Sequence, residues 1–191
     1  MKKSKLFLLA GSLLLMFSFS NAFAVNDVFA KGDKTVNFQL GFGNTWYLGS
    51  YYHGSMPQIS FSGDYGLRDD WGPGVFGVGA FIGYHAYKYN YYGVDYGWKY
   101  TTLSIAGRAT YHYQFIDKLD TYAGVMLGLN FNRSKWYGTN NTYNYSADAG
   151  ASALTTVFAG VRYYVTKNFS VMSELCLYDV ALFNIGVSLK F

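Results

Sequence analysis

Residues 181–191 (ALFNIGVSLKF) constrain the chain more than any other stretch. Taken in steps of two, one phase is Ala181, Phe183, Ile185, Val187, Leu189 and Phe191. The other is Leu182, Asn184, Gly186, Ser188 and Lys190. Period two is the signature of a β-strand, here with one apolar face and one small or polar face. An apolar strand of this kind at the edge of a water-soluble sheet is an aggregation hazard. It suits a sheet that closes on itself within hydrocarbon, where every backbone group must be paired.

Composition agrees with strands. Aromatic residues make up 21% of the 191 residues, glycine contributes 22 and proline 2, while charged residues are held to 14%. Strands favour that balance, and the charged share is low for a soluble domain. The amino-terminus reads as a secretory signal over residues 1–24. Lys2, Lys3 and Lys5 precede an apolar run of about 14 residues, and Ala22-Phe23-Ala24 forms a small-residue cleavage site. That run is short for a spanning helix, which needs about 20 residues. Val28-Phe29-Ala30 is a second cleavage candidate, so Ala24 and Ala30 both stand as ends of the leader. Removing the three lysines lowers the formal +4 by three to about +1, which argues against nucleic acid as a partner. Cys176, the single cysteine, cannot form an internal disulfide and reads as a small apolar strand residue.

After a short segment at 25–34, amphipathic strands are expected at residues 35–43, 58–67, 75–87, 100–115, 121–132, 151–165, 169–178 and 181–191. Loops fall at 44–57, 88–99 and 134–150, and shorter turns at 68–74, 116–120 and 166–168, with a tight turn at Asp179. All eight reach the roughly nine residues that a tilted strand needs to cross a bilayer. Alternating long and short connections are the habit of up-and-down membrane barrels, with both chain ends on the short-turn side. The predicted fold is all-β, an eight-stranded antiparallel transmembrane barrel over residues 35–191.

The charges orient the strands. Asp64, Arg108, Arg162 and Glu174 all fall on the small or polar phase. An arginine facing mid-membrane lipid costs about 2–4 kcal/mol, so the four are assigned to the lumen. An odd turn centred on Asn168 would set Arg162 opposite Glu174, which predicts their direct contact with Arg108 and Asp64 nearby. Phe81, Tyr122, Phe158 and Tyr164 share the lumen phase, and an eight-stranded barrel is filled by its side chains, which argues against a general diffusion pore. On the outward phase, Tyr65, Phe76, Tyr113, Phe115, Tyr163, Phe169 and Phe191 gather near one rim. Phe42, Tyr84 and Phe131 gather near the other, as interfacial belts do.

With these features in place, the chain resembles the small outer-membrane barrels of the OmpA/OmpX type. The resemblance rests on the signal ending Ala22-Phe23-Ala24, eight amphipathic strands, the lumen charges and the apolar terminal set Ile185, Val187, Leu189 and Phe191. It implies the outer membrane of a Gram-negative bacterium, both termini in the periplasm, contact with outer-membrane lipids, and reading of the terminal strand by the barrel assembly machinery. The two-domain members carry a peptidoglycan-binding domain after the barrel, and no such segment follows Phe191 in this sequence. The expected activity is non-enzymatic: a monomeric scaffold that displays aromatic loops for surface interaction or adhesion. Candidate binding residues are Trp46, Tyr51, Tyr52, Tyr91, Tyr92, Trp98, Trp136, Tyr137 and Tyr143, in surroundings rich in Gly, Ser and Asn. Alternatives are an enzyme acting on outer-membrane lipid and a narrow transporter of small apolar molecules. For the enzyme, His53, His85 and His112 show no close spacing to a serine and an acid. No metal-ligand spacing and no phosphate-binding glycine loop is present, so no cofactor is expected.

Overall fold

The computed structural model describes residues 28–43, 52–90, 97–137 and 146–191, with the backbone alone at 52–55, 89–90, 137 and 146–149. Eight strands form: β1 (Lys34–Phe42), β2 (Tyr52–Arg68), β3 (Val75–Asn90), β4 (Gly97–Ile116), β5 (Leu119–Tyr137), β6 (Ser146–Tyr164), β7 (Phe169–Cys176) and β8 (Phe183–Lys190). Each pairs antiparallel with its neighbour, and β8 pairs with β1, so the sheet is a closed barrel. The closing seam sets Val36 opposite Leu189, Phe38 opposite Val187 and Leu40 opposite Ile185. The expected signal segment at residues 1–24 lies outside the described residues.

Period-two chemistry sorts the two faces. Ile82, Ile105, Val125, Leu127, Leu129, Val161, Val171, Ile185 and Leu189 are exposed on the outer face. Asn37, Gln39, Ser60, Ser104, Thr110 and Ser188 are buried on the inner one. An apolar outside around a polar inside inverts a soluble protein and matches a wall solvated by hydrocarbon.

The lumen is filled by reciprocal pairs of rings and glycines. Tyr122 on β5 is opposite Gly160 on β6, and Phe158 on β6 is opposite Gly124 on β5. A Cβ on Gly160 would lie 2.5 Å from Tyr122 Cζ, and one on Gly124 2.8 Å from Phe158 Cζ. Each ring therefore lies across its partner strand at a place only glycine leaves open.

Several boundaries differ from the expectation. Strands continue through much of what reads as loop: residues 52–57, 88–90, 97–99, 134–137 and 146–150 are all in strands. Apolar alternation stops where lipid stops, but aromatic and β-branched residues keep the ladder going above it. Pro57 is accommodated because the register shifts between Met56 and Ile59, where no ladder hydrogen bond is needed. The 116–120 turn is tighter than expected: β5 begins at Leu119 after Lys118, which takes the left-handed region (φ 63°), so Asp120 joins a strand. Strand β8 starts at Phe183, and Ala181, assigned to the outward phase, is buried while Leu182 is exposed. Asp179, at φ 63°, bends the chain there. Ala181 N then donates to Gln58 Oε1 at 3.0 Å, and Asn184 Nδ2 donates to Ala181 O at 3.0 Å. The β7–β8 connection thus folds inward, with Val180 and Ala181 closing the mouth on the loop side.

Lengths are uneven. β3 to β6 run 16 to 20 residues, whereas β1, β7 and β8 run 8 or 9. The longer strands rise above the rest as a protruding sheet.

Leu127, 63% exposed, lies midway along β5. Leu127→Arg is expected to lower folding stability in phospholipid vesicles by about 2–4 kcal/mol. Urea titration of vesicle-inserted protein measures this, and an unchanged midpoint would contradict the outward assignment.

Candidate functional site

Five ionic side chains meet at the centre of the lumen, each placed by the inward phase of a different strand or position. Asp64 on β2 bridges two arginines from across the barrel. Arg108 Nε of β4 lies 2.9 Å from Asp64 Oδ1, and Arg162 Nη2 of β6 pairs with Asp64 Oδ2. Arg108 Nη2 also donates to Glu174 Oε1 at 2.8 Å, and Arg162 Nη1 to Asp120 Oδ2 at 3.1 Å. Tyr122 Oη donates to Glu174 Oε1 at 2.8 Å. The guanidinium of Arg108 lies over the Phe158 ring and that of Arg162 over Tyr122, each with Cζ 4.3 Å from the ring centroid. Arg162 is 0% exposed and the other four ions are nearly so. Buried ions cost several kcal/mol each to desolvate, so they persist only with this degree of mutual pairing.

The four charges singled out in the sequence belong to this network, but one pairing differs. Arg162 is opposite Met172, and Glu174 is opposite Gly160, so Arg162 and Glu174 are not cross-strand partners. The turn is centred on Lys167 rather than Asn168, because the last pair is Tyr164 with Ser170. Thr166 Oγ1 accepts from Phe169 N at 3.1 Å, while Asn168 Nδ2 leaves the hairpin to donate to Lys190 O at 2.8 Å. That two-residue change of register gives Arg162 to Asp64 and Asp120, and Glu174 to Arg108.

Two members were missed. Asp120 reads as a turn residue in the sequence, yet it is 1% exposed. His112 Nδ1 lies 3.0 Å from both Asp120 oxygens, and its Nε2 lies 3.0 Å from Thr110 Oγ1. The sequence shows no close acid for His112 because the β4–β5 hairpin supplies it, setting His112 opposite Tyr122 and next but one to Asp120. Acid, imidazole and hydroxyl in that order can activate a nucleophile. Here Thr110 is buried and the Phe29 ring covers the imidazole, with centroids 3.9 Å apart and planes at 25°.

Phe29 is the third unforeseen part. It stands in the second cleavage candidate, yet it is buried in the turn-side mouth of the barrel. Val28 N donates to Gln114 Oε1 at 3.2 Å, Gly32 N to Gly66 O at 2.8 Å and Gly66 N to Asp33 O at 3.0 Å. Residues 28–33 are thereby tied to β2 and β4. The adjoining turn at 69–74 is held by Arg68, which donates to both oxygens of Asp70 and keeps that carboxyl below its usual range. Around and above the ions, Phe81, Ala106, Met126, Leu154, Phe158, Met172, Cys176 and Val180 belong to an apolar cluster, with Met172 level with Arg162.

Among the candidate surface residues, Trp98 and Trp136 are directly opposite on β4 and β5, with ring centroids 5.3 Å apart and planes at 77°. They share the inward phase with Tyr100, so they line the barrel-axis side of the protruding sheet. Tyr52 and Tyr137 are placed by backbone only, at the strand tips. Trp46, Tyr51, Tyr91, Tyr92 and Tyr143 lie outside the described residues. Ile185, Val187, Leu189 and Phe191 all face outward.

Comparison with solved structures agrees with this architecture. Ail, the attachment invasion locus protein of Yersinia pestis, solved in complex with the heparin analogue sucrose octasulfate, matches with a TM-score of 0.52 at 10% identity, over 84% of this chain and 99% of that one. The outer membrane protein OprG from Pseudomonas aeruginosa matches with a TM-score of 0.53 at 12% identity, over 85% and 97%. The fold is that of the small eight-stranded outer-membrane barrels. No protein-family model matches the sequence, and no curated protein matches it. At such identities the likeness is one of fold, and the lumen network is read from this chain's own residues.

Arg162→Met is expected to cost about 3–5 kcal/mol, because it strands Asp64 and Asp120. In double-mutant cycles by urea titration, Arg162→Met should couple more strongly to Asp120→Asn than to Glu174→Gln. Stronger coupling to Glu174 would contradict the observed pairing.

Proposed function

We propose that the chain is a non-enzymatic, monomeric outer-membrane protein whose lumen is sealed and whose protruding sheet and aromatic loops carry surface interaction. The unequal strand lengths carry this reading: β3 to β6 extend well beyond β1, β7 and β8. A sheet that rises past the lipid, with Tyr87, Trp98, Tyr100 and Trp136 on its inner side, offers the amphipathic rings that recognition surfaces favour. The ions and rings that fill the lumen, with Phe29 at one mouth and Val180 at the other, speak against conduction. The occlusion of Thr110 by the same packing speaks against lipid hydrolysis at His112.

In this reading the short turns and both termini face the periplasm, and the protruding sheet faces outward. The outward aliphatic set ending in Phe191 serves the assembly machinery, and the outer wall contacts the lipids of the membrane. Phe29 adds a constraint on processing. Cleavage after Ala30 would remove the ring that covers His112, so the leader is expected to end at Ala24. Amino-terminal sequencing of the protein from the outer-membrane fraction should begin at Val25, and a start at Lys31 would exclude this.

Adhesion is the specific form of the proposal, and Ail, named for attachment, shares the fold. Cells displaying Trp98→Ala/Trp136→Ala should adhere to an epithelial monolayer several-fold less than cells displaying the parent, at equal amounts of heat-modifiable barrel. Equal adherence would remove the aromatic face as the binding surface.

A further inference from the structure

On the inner side of the protruding sheet, three polar side chains from adjacent strands form a relay. Thr102 Oγ1 of β4 donates to Asn132 Oδ1 of β5 at 2.8 Å, and Asn132 Nδ2 donates to Ser152 Oγ of β6 at 3.1 Å. The relay decides what is left over. Its oxygen being taken by Thr102, the Asn132 amide presents its nitrogen, which carries a second hydrogen. Ser152 accepts from that amide, so its own hydrogen is also left to donate. Among the described residues no acceptor meets either hydrogen. One tier lower, Ser104 Oγ donates to Asn130 Oδ1 at 2.6 Å, and both residues are buried. In the upper tier Asn132 is half-buried and Ser152 is exposed.

There is room beside these donors. A Cβ on Gly150, directly opposite Asn132, would meet nothing within 4 Å among the described residues. β7 ends at Cys176 and β8 begins at Phe183, so the wall is low next to Ser152 and the relay is open from that side. Farther out on the same phase, four residues beyond Thr102 and Asn132, stand Trp98 and Trp136, half-buried and edge to face. Four residues of strand span about 13 Å. The cations of these strand ends, Lys88, Lys99, Arg133 and Lys135, fall on the opposite phase. Among the described residues, the inner phase above Ser104 carries no lysine, arginine, aspartate or glutamate.

Two neighbouring donors without a cation suit an uncharged carbonyl oxygen. An indole suits the C–H face of a sugar, because its negative π-face attracts the slightly positive hydrogens there. An N-acetylated glycan offers both groups, and their spacing here is that of a short oligosaccharide. We infer that Thr102, Asn132, Ser152, Trp98 and Trp136 form a binding site for an uncharged, N-acetylated oligosaccharide. One acetamido oxygen accepts from Asn132 and Ser152, and a sugar farther along the chain stacks on the tryptophan pair. This rests on the surface-interaction reading above and narrows it to one ligand class, neutral rather than sulfated.

The test uses the full-length barrel in detergent micelles and isothermal titration calorimetry with chitotetraose, the uncharged tetramer of N-acetylglucosamine. Each neutral hydrogen bond lost costs about fivefold in affinity, so Ser152→Ala should bind about fivefold and Asn132→Ala/Ser152→Ala about thirtyfold more weakly than the parent. Cellotetraose, which has hydroxyl groups in place of the acetamido groups, should bind the parent more weakly than chitotetraose does and should be indifferent to the Ser152→Ala change. Heat-modifiable migration of each variant shows that the barrel has formed. No chitotetraose binding by the parent, equal binding by parent and double variant, or equal affinity for the two tetrasaccharides would overturn the site. So would tighter binding of a sulfated heparin tetrasaccharide in competition with chitotetraose. Adherence of cells displaying Trp98→Ala/Trp136→Ala reports separately on surface interaction, so a failed glycan site and a failed surface are told apart.

Discussion

Asp64 holds the lumen together because, among the described residues, it alone forms ion pairs with both arginines. Arg108 comes from β4 and Arg162 from β6, and the carboxylate between them comes from β2. These strands are not neighbours, so the arrangement exists only when the sheet has closed. An open sheet would leave each guanidinium with part of its pairing and a full desolvation cost. The ion network is therefore a consequence of closure and a reason for it: the same five side chains that would be intolerable toward hydrocarbon are ion-paired with one another in a narrow tube.

The remaining architecture accommodates that network. Tyr122 and Phe158 brace the guanidinia from the β5–β6 side, and they can lie flat only because Gly160 and Gly124 stand opposite them. Phe29 and the inward-folded Val180–Ala181 connection cover the two ends. The centre of the lumen is thus packed with ions and rings, and Phe29 and Val180 are buried toward its two ends. Above it, the protruding sheet carries Trp98, Tyr100 and Trp136 on its barrel-axis side.

Much of this was legible in the chain, and the limits have physical causes. Period-two alternation identifies all eight strands and the direction of each, because lipid and lumen impose opposite chemistry on successive residues. The phase of Asp64, Arg108, Arg162 and Glu174 follows from the same rule. Partner choice does not, since Asp64 and Arg162 meet across the barrel and no local spacing records that. The β6–β7 register escaped because Thr166 rather than Asn168 anchors the turn, and two residues of register suffice to exchange partners. Asp120 was concealed by a turn tightened at Lys118, and Phe29 by its place in a motif that reads as a cleavage site. The strand extensions were missed because alternation reports hydrocarbon, while ladders continue wherever cross-strand pairs support them.

The central claim is that hydrocarbon wets one phase of every strand and the ions occupy the other. Nitroxide labels placed singly at residues 102 to 106 of β4, in a Cys176→Ser background in phospholipid vesicles, test it most directly. Oxygen accessibility by electron paramagnetic resonance should alternate, high at 103 and 105 and low at 102, 104 and 106. Alternation of the opposite phase, or none at all, would contradict the account.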